Sequence, residues 1–333
     1  MPTPEHLQKA MGTVLLAVVP GALTLLWLYG WGVLITWLLA ASTALLVEFA
    51  CLRLRGQSVR QGLMDGSALV SATLLALALP PYSPWWLTVL ASGFAMVFGK
   101  HLYGGVGKNP FNPAMLGYAF VLVCFTPQMN HWPASHGLNL MGGLQQIFGF
   151  SIEIFGFSIA PQPDVWSQAT ALDVLRINTH LTIDELFATH PAFGSMGGRG
   201  IEWVNLAFFA GGALLLQKRI IRWHAPLGML ASLFVISLLC WNGSGSDSNG
   251  SPIFHMLTGA TMLGAFFIAT EPVSGPSSPR ARLLFGVGIG LMTYVIRTWG
   301  GYPDGVAFAV LLMNLAVPAL ERLARRSSTE ATS

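Results

Sequence analysis

Ten apolar runs constrain this chain more than any motif does. They lie at about 11–29, 32–52, 67–80, 85–101 and 111–126, then at about 203–217, 225–241, 253–270, 283–298 and 304–320. A helix that crosses a bilayer needs roughly 20 apolar residues, so ten of them would take up roughly 200 residues of the chain. Charged residues make up only 9% of the sequence, against roughly 25% in soluble domains. A soluble globular domain, a disordered chain and a disulfide-held secreted scaffold are all excluded. The fold class expected is an all-α polytopic membrane protein of about ten transmembrane helices. The first run is read as a retained helix rather than a signal peptide, because Val18-Val19-Pro20 is a poor cleavage site and nine more runs follow. Cys51, Cys124 and Cys240 stand far apart within apolar segments, with no C-x-x-C pair and no zinc spacing. They are expected to be buried free thiols.

Ten spans place both termini on one side, and the basic residues say which side that is. With the termini cytoplasmic, Lys9, Arg53, Arg55, Arg60, Lys100, Lys108, Lys218, Arg219, Arg222, Arg280, Arg282, Arg322, Arg325 and Arg326 are all cytoplasmic. Only Arg176, Arg199 and Arg297 fall elsewhere, so 14 of 17 basic residues obey the positive-inside rule. Trp31, Trp85, Trp86, Trp132, Trp203, Trp241 and Trp299 sit near span ends, where interfacial aromatics belong. The expected location is a bacterial inner membrane, crossed many times, with both termini in the cytoplasm.

The runs divide into two halves, residues 1–127 and 202–333, with five spans each. Residues 128–201 lie between them as one large extracytoplasmic loop. That loop and its edge carry Glu153, Asp164, Asp173, Asp184, Glu185 and Glu202 against two arginines. The halves resemble each other weakly: Leu69-Val-Ser-Ala-Thr73-Leu-Leu can be laid over Leu257-Thr-Gly-Ala-Thr261-Met-Leu, and Gly104-Gly105 matches Gly300-Gly301. Five spans per copy is an odd number, so two copies would be inverted, an arrangement that builds sites near the membrane midplane. Chance matching of small residues in apolar helices is the plainer explanation. Spans three and eight are short and flanked by Pro and Gly, which marks them as candidate broken helices.

Three Ala-Thr pairs invite comparison. Thr73 and Thr261 lie within spans, where small residues serve helix packing. Thr170 instead ends Asp164-Val-Trp-Ser167-Gln-Ala169-Thr170 in the acidic loop, a D-x-x-S-x-A-T pattern. This resembles the acceptor signature of exported FMN transferases, which take FMN from FAD and join its phosphate to a threonine hydroxyl. Such chemistry needs a hydroxyl reachable from outside the membrane and a small neighbour such as Ala169. The plainer reading is a helix start at Ser167 or Thr170, with Asp173 in the first turn. Tyr103–Ala114 and Trp299–Phe308 are glycine-rich stretches whose bared amides suit a flavin phosphate or carbonyl, or simply tight turns between spans. Gly107-Lys108 is not a P-loop. Glu48 lies inside span two, while Asp65 and Asp304 stand at span starts; all three are ion-pathway candidates, since an intramembrane carboxylate is a functional hypothesis by default. Glu48 is open to a second reading, as a partner of Arg53 or Arg55. No metal-ligand pair, haem motif or iron–sulfur run is present, and His101, His224 and His255 read as packed or interfacial.

Six stretches carry a resemblance to a known family: Asp65-Gly-Ser-Ala-Leu, Leu102–Met115, Ser167-Gln-Ala-Thr170, Arg222-Trp-His-Ala-Pro226, Thr258–Phe267 and Gly300–Leu312. Together they make the chain closely resemble the RnfD (RsxD) membrane subunits of the bacterial Rnf/Rsx-type ion-translocating electron-transport complexes. The chain is more distantly similar to the NqrB component of the sodium-translocating NADH:quinone reductase. The resemblance implies a ten-helix subunit with FMN bound covalently through a phosphoester at Thr170. It further implies partner membrane subunits, a second flavoprotein on the outer face and cytoplasmic subunits that handle NADH and ferredoxin. An exported FMN transferase would read Asp164, Ser167 and Ala169. The analogy with the quinone reductase also leaves room for a second, non-covalent flavin such as riboflavin, for which no motif marks a place. Gln168 stands where the acceptor motif often has glycine.

The function expected is electron transfer through covalent FMN, between NAD(H) and ferredoxin partners, coupled to Na+ or H+ movement. Flavin would supply the redox chemistry and Thr170 would be an anchor, so no residue is assigned a catalytic role. Partners are other subunits and the lipid bilayer, with no nucleic acid. The rival is a passive channel or solute transporter, since inverted five-helix repeats suit channels too.

Overall fold

Backbone surrounded by lipid must satisfy its own hydrogen bonds, and apolar runs of this length do so as helices. The computed structural model describes residues 4–105, 107–133, 137–149, 152–154, 157–159, 167–302 and 304–330. Helices occupy every one of the apolar runs. The first half holds α1 (Pro4–Tyr29), α2 (Gly32–Leu54), the short α3 (Val59–Met64), α4 (Ser67–Ala78), α5 (Trp85–Phe94) and α6 (Pro113–Cys124). α5 continues as a π-helical turn, Ala95–His101. Between the halves lie α7 (Thr126–Met129), α8 (Leu140–Phe148), α9 (Ala171–Ile177) and α10 (Ile183–Thr189). The second half holds α11 (Ile201–Gln217), α12 (His224–Leu239), α13 (Pro252–Leu257), α14 (Thr261–Leu263), α15 (Pro279–Trp299) and α16 (Val306–Glu330). α14 runs on into a second π-helical stretch, Gly264–Ile268.

Four segments are long and apolar enough, by length and composition, to cross a membrane: Leu7–Tyr29, Gly32–Leu54, Pro279–Trp299 and Val306–Arg325. The remaining apolar helices are shorter, and the sequence shows why. Pro80-Pro81 follows the end of α4, Pro113 opens α6, and Gly259 divides α13 from α14 with φ +58°. Trp27, Leu46 and Leu239 are large, apolar and exposed. Water would penalise such a surface, whereas lipid tails match it.

Packing in the two halves follows corresponding lines. α2 lies against α4 and α5, as α12 lies against α13 and α15. α1 meets α4, and α11 meets α13 and α14; α5 meets α6, and α15 meets α16. The halves join where α1 packs on α11 and α6 on α16. Small residues permit the first of these joints: a Cβ on Gly211 of α11 would overlap the Ala17 carbonyl oxygen of α1. The second is tied by Asn112, which caps α6 and whose backbone N–H donates to Asn314 Oδ1 of α16 at 3.1 Å. Leu25, Tyr29, Met115, Tyr118, Phe208, Phe266 and Phe285 belong to the core formed between them.

The segment between α6 and α11 lies over one end of this bundle. β1 (Trp132–Pro133) pairs antiparallel with β4 (Ser167–Gln168), and β2 (Ile152–Ile154) with β3 (Phe157–Ile159). Ala171, Leu172, Leu175, Leu186 and Phe193 form a small core that includes Phe254 of α13. Glu202, at the start of α11, accepts from the backbone N–H groups of Met196 (2.9 Å) and Gly197 (3.1 Å), which fixes the end of the segment. The cysteines are free but not buried: Cys124 is exposed, and Cys51 and Cys240 are half-buried. Apolar surroundings in a membrane protein include lipid as well as core, which is why the apolar sequence context misplaced them.

Candidate functional site

Thr170 begins α9. Its hydroxyl accepts from Asp173 N–H at 3.2 Å and donates to Asp173 Oδ2 at 2.8 Å, the reciprocal bonding of a helix start. The helix-start reading of this residue therefore holds as geometry. The hydroxyl is nevertheless half-buried rather than sealed, and Ala169 beside it is exposed. Arg176 locks α9 in place: Nη2 pairs with Asp173 Oδ1 at 2.9 Å, and Nη1 donates to the Gly300 and Tyr302 carbonyls at 2.9 and 3.0 Å. The second glycine-rich stretch thus meets the threonine's helix through its carbonyls. Ser167 lies in β4, opposite Pro133. Asp164 lies outside the described residues.

Thr170 lines a mainly apolar cavity between the halves, open on one side to solvent. Leu25, Tyr29, Leu77, Met115 and Tyr118 line it from the first half, and Val204, Phe208, Leu263, Ile268 and Val306 from the second. Ala169, Thr170, Arg199 and Trp132 are contributed by the connecting segment. Trp132 Nε1 is buried and finds no hydrogen-bond partner among the described residues. Large apolar cavities with a few convergent polar groups are the usual form of a cofactor site.

The floor near Thr170 is the break between α13 and α14, where several backbone groups lose helical partners. Three side chains replace them. Arg297 of α15 donates to the carbonyls of His255 (2.9 Å) and Thr258 (3.2 Å) and to Thr261 Oγ1 (3.0 Å). Asn205 of α11 donates to the Leu257 and Gly259 carbonyls, each at 3.1 Å, and accepts from Met262 N–H at 3.0 Å. Asp304 accepts from Ala260 N–H at 2.7 Å and pairs with Arg297 Nε at 2.9 Å. Arg297, Asn205 and Asp304 thus hold a broken helix open beside the cavity, as membrane burial of irregular backbone requires.

Glu48 and Asp65 meet elsewhere. Glu48 is 1% exposed, and Lys100 Nζ lies 2.8 Å from each of its oxygens. His101 Nε2 is 2.8 Å from Oε2. Lys100 also donates to Ser67 Oγ at 2.8 Å, and Ser67 donates to Asp65 Oδ1. One buried polar chain therefore links the two acids. It sits at the start of α4, while Leu77 and Ala78 at the other end of α4 line the cavity with Asp304. The arginine partnership open to Glu48 does not form: Arg53 lies over the Phe49 ring and Arg55 donates to the Gly104 carbonyl. Lys100, 52 residues away, takes that place because the π-helical turn carries it inward. Lys100, Arg297 and Asn205 were not singled out as site residues by the sequence pattern. Arg297 did leave a trace, as a basic residue on the wrong side of the charge count.

The description "NQR2, RnfD, RnfE family" belongs to a family model that matches residues 1–330. The D component of an ion-translocating oxidoreductase complex from Ectopseudomonas mendocina is 62% identical over 321 residues, covering 96% of this chain and 91% of its own length. The protein of the same name from Pseudomonas aeruginosa is 60% identical over 316 residues, covering 95% and 89%. A third, from Cellvibrio japonicus, is 45% identical over 328 residues, covering 96% and 91%.

Proposed function

This chain belongs to the NQR2, RnfD, RnfE family, and on that premise we propose that it is the flavin-carrying membrane subunit of an ion-translocating oxidoreductase complex. FMN is held covalently through a phosphoester on Thr170, with its ring system in the cavity between the halves. The single observation that carries this reading is the position of Thr170: the threonine that ends the D-x-x-S-x-A-T pattern lines the apolar cavity between the halves. When bound, the flavin supplies electron transfer in one- or two-electron steps.

The chain's own residues then bind and orient. Asp173, already accepting the Thr170 hydroxyl hydrogen, is placed to hold that proton when the transferase would join the flavin phosphate of FAD to the threonine oxygen, the pyrophosphate bond breaking and AMP leaving. Arg199, on the rim and without a carboxylate partner among the described residues, is the cation available to the phosphodiester. The unpartnered Trp132 N–H offers a donor to a ring carbonyl or nitrogen, and Tyr29, Tyr118 and Phe208 keep water from the ring. The corresponding packing of α1–α6 and α11–α16 supports ten spans in two inverted repeats, residues 1–127 and 202–333. The segment 128–201 is then extracytoplasmic and both termini lie in the cytoplasm of a bacterial inner membrane. Glu48, Asp65 and Asp304 are the acids available to a moving Na+ or H+, the first two near the cytoplasmic end and the third near the flavin. Electrons pass between NAD(H)- and ferredoxin-handling partners, and an exported FMN transferase loads the flavin.

The test is in-gel fluorescence. Protein expressed with the transferase should give a fluorescent band under ultraviolet light on a denaturing gel, and Thr170→Ala should abolish it. A colourless wild-type protein that transports solute without partner subunits would support the channel reading instead.

A further inference from the structure

Three arginines converge at the end of the bundle opposite the flavin cavity. The turn between α11 and α12 and the turn between α14 and α15 border a cleft open to solvent, lined by Arg219, Arg222, Arg282, Glu271, Ile221 and Phe285 among others. Arg222 and Arg282 are close enough to repel each other. Arg219 and Arg222 have no carboxylate partner among the described residues, and Arg282 Nε is bound to the Pro276 carbonyl. The two nearest acids are already committed. Glu271 accepts from Val273 N–H, Ser274 N–H and Ser274 Oγ, and Glu321 from Ser277 and Ser278. Three guanidinium groups therefore face two acids already held by backbone and serine donors, and no arginine–carboxylate ion pair forms there among the described residues, which leaves the cleft suited to an anion.

Arg219 adds a separate sign. It is the one non-glycine residue with positive φ, +56°, among the described residues, and it ends α11 where glycine would be unstrained. Strain of this kind, of order 1 kcal/mol, persists where something else requires the side chain. The apolar surroundings identify the anion's carrier. Trp223, Leu227, Leu283 and Leu284 are exposed beside the cleft, giving acyl chains a surface and an interfacial aromatic anchor. Basic pockets between helices at this level are suited to anionic lipid head groups.

We infer that this cleft binds the phosphate of an anionic phospholipid, with Arg219, Arg222 and Arg282 on the head group and the chains along α12 and α15. Phosphate recognition is shared with free anions, and the proposed occupant is the lipid. The full chain, purified in detergent, is titrated with phosphatidylglycerol, phosphatidylcholine or inorganic phosphate, and thermal stability and lipid-bound mass are read. Phosphatidylglycerol should raise the melting temperature and remain bound, while phosphatidylcholine and millimolar phosphate should not. Arg222→Gln and Arg219→Gly should each weaken phosphatidylglycerol binding about fivefold. The second variant relieves the positive φ, so it should fold at least as well as wild type, and its loss of response would not reflect misfolding. Equal binding by wild type and Arg219→Gly, equal response to phosphatidylcholine, or full stabilisation by inorganic phosphate would each overturn the inference. So would displacement of bound lipid by an acidic peptide with greater stabilisation than the lipid gives.

Discussion

Arg297 is one of three basic residues that the charge count leaves away from the other fourteen, and each of the three has local work. Arg297 fills the broken helix, Arg176 ties α9 to the Gly300 turn, and Arg199 stands on the cavity rim. Removing Arg297 would leave the Asp304 carboxylate without its cation and take one donor from each of the His255 and Thr258 carbonyls, which keep only the Thr261 hydroxyl between them. Breaking a buried pair by deleting one partner costs about 3–5 kcal/mol. Arg297→Ala should therefore lower thermal stability in detergent steeply, and Asp304→Asn less, because an amide oxygen can still accept from Ala260 N–H. Equal, small shifts would mean that these groups do not hold the break. The charge pattern made Arg297 conspicuous without saying why. Besides Asp304 and Thr261 it binds carbonyls 39 and 42 residues away, and backbone carbonyls carry no sequence label. Thr170 could be read directly, because its signature is local. Lys100 could not, because its partner lies across 52 residues of chain.

At the scale of elements, helix starts in the connecting segment depend on side-chain caps. α10 begins with a capping box in which Thr182 Oγ1 and Glu185 N–H, and Glu185 carboxylate and Thr182 N–H, bond reciprocally. The Thr182 backbone N–H, then its hydroxyl, hold the Glu185 carboxyl below its ordinary value of 4.5. A depressed folded-state pKa contributes stability fully above the unfolded value, and that contribution is lost as pH falls through the folded value. Protection factors across residues 182–189, exchange rates taken relative to the intrinsic rate at each pH, should accordingly fall below pH 4.5, and Glu185→Gln should lower them at neutral pH and flatten the dependence. An unchanged profile in that variant would remove Glu185 as the cause. The apolar helices were legible as runs, and their ends were legible where Pro or Gly stood. The π-helical stretches were not, since Ala95–His101 and Gly264–Ile268 read as ordinary apolar helix.

For the whole molecule, the joint between the halves carries the account, because the cavity that Thr170 lines exists only where they meet. α1 and α11 approach through Gly211 against the Ala17 carbonyl. Gly211→Val should push the two helices apart, and the purified protein should lose its sharp elution and its thermal transition. A well-folded Gly211→Val protein would show that the joint tolerates spacing the cavity does not need. The central claim is the flavin itself. Mass spectrometry of the peptide spanning residues 164–176, from protein produced with the FMN transferase, tests it most directly. The account predicts a mass increase equal to an FMN phosphoester, with fragment ions placing it on Thr170. An unmodified peptide, or the added mass on Ser167, would contradict it.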